Sequence, residues 1–216
     1  AVGGIYGAPN VAIPGRGKLK VIFEGDDGST HILVENRKVD SGVALLTTET
    51  DSSIRDYAHA VFQQALSMHK SVIFAGKDTI NPVYDGRFID IFNQIFKESY
   101  ADKFSTAGLT FNDKVQLIDA VVSKIPQGKL NGMIIALKNY DGDVVSDQVA
   151  GEHKSLGLMD STLVSADGTL LADPPHGTAP DLEPAWHEKG ILLANPAAHI
   201  FAYAEAIRHK AELNEI

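Results

Sequence analysis

The sequence predicts an α/β protein with a β-rich insertion, and three observations carry that prediction. Residues 51–153 alternate stretches of helical period with short apolar runs. Residues 1–50 alternate apolar and polar side chains between Gly- and Asp-rich turns. Residues 154–216 hold a strand-like run, a Pro/Gly/His loop and a closing helix.

Taken in order, Leu19, Val21 and Phe23 fall on one face of a strand over Lys18–Glu24. Gly25-Asp26-Asp27-Gly28 is a turn, and Thr30–Glu35 returns as a second strand. Gly42–Thr48 is a further β-like run. Ser52 or Ser53 can cap a helix to about His69, with Ile54, Tyr57, Ala58, Val61, Phe62 and Leu66 at helical spacing. Ser71–Ala75 reads as a short buried strand. Arg87 to about Lys97 is an amphipathic helix through Phe88, Ile91, Phe92, Ile95 and Phe96. Asp113–Lys124 reads as another helix, ended by Pro126 and Gly128. Gly132–Leu137 is a strand that runs straight into NYDGD. Ser161–Ser165 is strand-like, Asp167-Gly168 a turn, and a helix runs from about Pro196 to Leu213.

The 216 residues, 44% apolar, suffice for one sizeable core or two small ones. A net charge of −9 repels phosphate backbones and argues against nucleic acid as a partner. The absence of cysteine excludes disulfides, zinc–thiolate sites and thiol nucleophiles. No apolar run approaches the roughly 18 residues that span a bilayer, so no membrane partner is expected. The start has neither an initiator Met nor the regions of a signal peptide, and the chain is expected to be processed or a fragment.

Three stretches carry candidate chemistry. In NYDGDVVSD, residues 139–147, a helix starting near Gly142 sets Asp143 and Asp147 four apart on one face. Like charges there repel, and a hard divalent cation reverses the sign of that interaction. Mg²⁺ and Mn²⁺ favour such carboxylate oxygens. The alternative is a turn and cap formed by Asp141 and Asp143, with Asp147 solvated. In HGTAPD the small residues Gly177, Thr178 and Ala179 let backbone N–H groups approach a ligand. There His176 can stack or hydrogen-bond, and Asp181 can accept from ribose hydroxyls. The run is not GxGxxG, and an ordinary surface loop remains its alternative. Lys77 lies just past an apolar strand, where α/β active sites collect, although a lone Lys is usually solvated. Asp119 interrupts the apolar pattern of QLIDAVV, or else occupies a helix position that faces water.

Together these runs resemble the isocitrate and isopropylmalate dehydrogenase family, in particular its homodimeric eukaryotic-type isocitrate dehydrogenases. The matching stretches are TTETDSSIRDYAHAVFQQAL, AGKDTINPVYDGRFIDIFNQIF, LIDAVV, ALKNYDGDVVSDQVA, SLGLMDSTLVSADG, HGTAPD and ANPAAHIFAYAEAIRHKAEL, in the family's order. The resemblance implies a clasp-like β segment over 1–50, a small α/β domain with metal-site residues over 51–153, and a partial large domain with the nucleotide loop over 154–216. It implies Asp119, Asp143 and Asp147 as ligands of Mg²⁺ or Mn²⁺, with ligands drawn from both subunits of a homodimer. It implies Lys77 as a proton-transfer group serving the neighbouring subunit. It places nucleotide contacts on His176, Gly177, Thr178 and Asn195. NADP-using members carry Arg and His shortly after HGT, where this chain has Asp181 and Leu182. An aspartate repels a 2′-phosphate and suits a free ribose, so NAD is implied over NADP.

The implied reaction is oxidative decarboxylation of a 2-hydroxy acid of isocitrate type, a step of the tricarboxylic acid cycle, in the cytoplasm or an organellar matrix. Against the family pattern the chain is short. The amino-terminal half of the large domain and the carboxy-terminal elements have no counterpart. A substrate arginine would fall near Gly3, and the family's catalytic tyrosine has no clear match near Tyr6. Two further readings are open: a nucleotide-independent, metal-dependent β-decarboxylase of a 2-keto acid, and a non-catalytic protein that binds metal or nucleotide.

Overall fold

Strand-rich and helix-rich segments fold as separate units in the computed structural model, which describes residues 2–152, 157, 159–165, 169–174, 182–190 and 196–213. One unit is Gly3–Thr48; the other holds Val2 and the described residues from Glu49 onward.

Gly3–Thr48 consists of two antiparallel ribbons. Strands β1 (Asn10–Ile13) and β4 (Gly42–Leu45) pair with Asn10 opposite Leu45 and Ile13 opposite Gly42. Strands β2 (Gly17–Glu24) and β3 (Thr30–Val39) pair from Gly17 opposite Val39 to Glu24 opposite Thr30, with irregular register around Val21. The expected turn closes this hairpin: Gly28 takes a left-handed φ of 81°, a conformation open to glycine, and Asp27 accepts from the Ser29 N–H. The return strand is longer than the expected Thr30–Glu35, because the ladder continues past Asn36, itself at φ 55°.

The second unit is built on a three-stranded parallel sheet in the order β6–β5–β7. Strand β5 (Ser71–Gly76) is central, β6 (Gln116–Leu117) is short, and β7 (Met133–Leu137) aligns Ser71 with Met133 and Ala75 with Leu137. As expected of a strand enclosed on both faces, Val72, Phe74 and Ala75 are fully buried. Helix α1 (Asp51–Ser67) is capped by Thr50, whose side chain accepts from the Ser53 N–H, and not by Ser52 or Ser53. Several cap-competent residues stand in a row in TETDSS, and only the backbone turn decides among them.

Helix α2 (Tyr84–Ile95) starts three residues before the expected Arg87 and passes through a π-helical turn, Phe96–Tyr100, into α3 (Ala101–Thr106). Such a turn inserts a residue and rotates the helix beyond it. Here Phe96, Tyr100 and Phe104 all lie within 6 Å, centroid to centroid, of Phe62, at 5.4, 5.2 and 5.7 Å. The helix expected over Asp113–Lys124 is confined to α4 (Ile118–Lys124). Pairing of Gln116 and Leu117 with Ala75 and Gly76 claims the preceding residues for the sheet.

Helix α5 (Asn139–Glu152) follows β7 and starts three residues before Gly142. A hairpin of β8 (Ser161–Val164) and β9 (Leu170–Asp173), then α6 (Leu182–Lys189) and α7 (Ala197–Leu213), complete the described chain. No sequence signal marked α6. Among the described residues no helix is long and apolar enough to cross a membrane.

Candidate active site

Among the described residues, four candidate side chains come after the ends of strands. Lys77 follows β5, Asp119 stands in the first turn of α4 after β6, and Asp143 and Asp147 lie on α5 after β7. Because the three strands are parallel, their carboxyl ends lie on the same sheet edge, the edge at which open α/β sheets bind ligands. Asp119 belongs to the opening of a helix, where the dipole favours an anion.

The Lys77 ammonium donates to Asp119 Oδ1 at 2.6 Å. That hydrogen bond is the main cause holding the Asp119 carboxyl below its ordinary range. Both side chains remain open to solvent, 33% and 66% exposed, so the pair contributes little to stability. Asp143 and Asp147 are exposed one helical turn apart. Among the described residues, no three His, Asp or Glu side chains converge closely enough to hold an ion. The candidates Asp119, Asp143 and Asp147 are all carboxylates, the donor type that Mg²⁺ and Mn²⁺ favour.

Beneath this edge lies an ion pair to which the sequence assigned no role. Asp85, in the first turn of α2, is completely buried. Its Oδ2 accepts from the Lys77 backbone N–H at 2.5 Å and its Oδ1 from Lys138 Nζ at 2.8 Å. Lys138, the first residue past β7, also reaches Asp141 at 3.3 Å and lies over the Tyr84 ring at 5.6 Å. Burial pulls the Lys138 ammonium down, but the Asp85 hydrogen bond and charge, with Asp141, outweigh it and hold its pKa above the ordinary value. The available signal was slight: Lys138 directly follows the apolar run GMIIAL, and Asp85 is an ordinary acidic residue in the first turn of its helix.

The structure pairs Lys77 with Asp119 directly and sets Asp143 and Asp147 one turn apart on the helix that follows β7. His176, Gly177, Thr178, Ala179, Asp181 and Asn195 lie outside the described residues.

A parallel three-stranded sheet with helices packed on it defines a class, the α/β proteins. The particular family comes from comparison: residues 1–216 match the isocitrate/isopropylmalate dehydrogenase family, and the chain belongs to it. It is 38% identical over 216 residues to the cytosolic isocitrate dehydrogenase [NADP] of Arabidopsis thaliana, covering 100% of this chain and 52% of that protein. It is 39% identical over 217 residues to the cytoplasmic isocitrate dehydrogenase [NADP] of Dictyostelium discoideum, covering 99% and 52%. A chloroplastic isocitrate dehydrogenase [NADP] of Medicago sativa is 38% identical over 218 residues, covering 100% and 50%. The chain thus spans about half the length of these relatives.

Proposed function

We propose that the protein is a metal-dependent oxidoreductase of isocitrate dehydrogenase type that decarboxylates a 2-hydroxy acid, uses NAD, and works as a homodimer. The observation that carries this reading is the common sheet edge: Lys77, Asp119, Asp143 and Asp147 each follow one of three parallel strands, with Lys77 and Asp119 already paired at 2.6 Å.

In this reading Asp143 and Asp147 hold Mg²⁺ or Mn²⁺ together with Asp119 of the partner subunit. An ion held there would supply Lewis-acid polarisation of the substrate hydroxyl and charge stabilisation for the decarboxylation, and NAD would supply the hydride acceptor. Asp119 keeps the Lys77 ammonium oriented, and Lys77 moves a proton at the substrate. A groove of about 770 Å³, lined by Ile125, Met133, Val145, Val149 and the helix that carries Asp143 and Asp147, offers the apolar surface for a second copy.

The preference for NAD rests on Asp181 and Leu182, which stand where the family's NADP-users carry Arg and His. The relatives above are named for NADP. The deciding measurement is kcat/KM for isocitrate oxidation with each nucleotide in the presence of Mg²⁺. A higher value with NAD is expected, and a higher value with NADP would reject the nucleotide assignment. Asp143→Asn should cut turnover by more than the roughly 10–100-fold typical of an outer-shell change. Unaltered Mn²⁺ affinity in that variant would remove Asp143 from the ligand set. CO₂ release from oxalosuccinate, together with no oxidation of isocitrate by either nucleotide, would mark a decarboxylase instead.

A further inference from the structure

We propose that Asp85 is the positioning residue of this site: it fixes the backbone of Lys77 and, through Lys138, the start of the helix that carries Asp143 and Asp147. The proposal rests on the reading of Lys77 as the proton-transfer group.

Asp85 is fully buried, and its two carboxylate oxygens serve two different strand ends. Oδ2 holds the Lys77 N–H at the end of β5, and Oδ1 holds the ammonium of Lys138 at the end of β7. Lys138 passes the link to Asp141, two residues before Asp143. On its other side the Lys77 carbonyl accepts from the N–H groups of Ile80 and Asn81, so the Lys77 main chain is held at both ends. Its ammonium can move only by side-chain rotation.

A buried ion pair is a poor stability device, because desolvating two charges offsets most of their attraction and an apolar pair often does as well. What the pair does supply is geometry, since one carboxylate cannot satisfy both partners unless the two strand ends keep their spacing. Gly76 supports the same reading. A Cβ on it would meet Asp85 Oδ2 at 2.9 Å and Cγ at 3.2 Å, so the chain leaves that volume empty for the carboxylate.

The test compares Asp85→Asn and Gly76→Ala with the wild-type full chain. Asp85→Asn removes the charge at constant shape. Gly76→Ala keeps every charge and pushes the carboxylate off the Lys77 N–H. Both should lower kcat, Asp85→Asn by roughly a hundredfold, as expected when a reacting group is misplaced by about an ångström. KM for isocitrate and the Kd for Mn²⁺ should move no more than about tenfold. Selective ¹⁵N-lysine labelling reads the contact itself: the Lys77 amide proton, in a short charge-assisted bond, should resonate well downfield and move upfield in both variants.

If kcat per folded site stays within about threefold while that amide moves, the positioning role is rejected. An ordinary Lys77 amide shift in the wild type rejects it as well. If Asp85→Asn fails to fold, Gly76→Ala decides between the same outcomes. If the wild type oxidises no isocitrate, the reading of Lys77 fails by itself, and the upfield move of the amide then supports or rejects the contact independently of turnover.

Discussion

Phe62 and Phe23 are both aromatic residues in regular backbone, but Phe62 is fully buried in the parallel-sheet unit and Phe23 is 53% exposed on an N-terminal ribbon. The difference is one of layers. Around Phe62 the helices α1 and α2, the π-helical turn and Phe111 close on one another, and five aromatic rings lie within 5.7 Å of its own. The ribbons of Gly3–Thr48 have only two strands each, and no second layer within that unit covers them. Val11, Ile22, Ile32, Leu33 and Val43 are all at least half exposed. Two-stranded ribbons are marginal by themselves. Apolar alternation therefore specifies a strand without specifying its burial, and the ribbons' apolar faces fit the proposed homodimer.

Four changes break or sharpen this contrast. Phe62→Ala should cost about 3–5 kcal/mol in urea unfolding, since the surrounding rings cannot collapse onto the space left. A cost under about 1 kcal/mol would mean that the aromatic cluster is loosely packed. Next, Lys138→Met strands the Asp85 carboxylate in the interior and should cost about 3 kcal/mol or more. Asp85→Leu combined with Lys138→Met should be milder than Lys138→Met alone, and additive losses would contradict the coupling.

The same pair has a signature in pH. The fold holds the Lys138 proton more tightly than the unfolded chain does, so its stabilising contribution is whole below about pH 10.4 and fades as pH rises through the higher folded value. Alkaline unfolding curves of wild type and Lys138→Met should converge above that point. Thr50→Ala removes the cap of α1 and should cost about 1 kcal/mol, read from the thermal midpoint. Smallest is Leu33→Ser on the ribbon, within about 0.5 kcal/mol for the isolated chain. It should instead raise the concentration at which dimers dissociate in sedimentation, and unchanged dissociation would take that ribbon face out of the interface.

Much of the fold was legible because its signals are local. Ile54, Tyr57, Ala58, Val61 and Phe62 mark α1 by period, and the apolar run Ser71–Ala75 marks β5 by composition. The misreadings occur where tertiary contacts overrule local preference. Gln116 and Leu117 carry a helix-like pattern, yet they pair with β5. The helix read to about Lys97 passes at Phe96 into a wider turn that brings Phe96 and Tyr100 to Phe62. In the site, Lys77, Asp119, Asp143 and Asp147 were visible as residues in motifs. Asp85 was not, because an acidic residue in the first turn of a helix ordinarily signals nothing beyond a favourable dipole.

The sequence by itself determined most element types, the net negative charge, the absence of cysteine chemistry and four candidate side chains in motifs. Only the tertiary structure decided that the edge is shared, that Lys77 and Asp119 meet, and that a buried carboxylate ties Lys77 to Lys138. Period and composition act over a few residues and can be read along the chain. Parallel pairing of β5 with β6 and β7 joins segments far apart in sequence, and no local pattern encodes which strand ends will lie side by side.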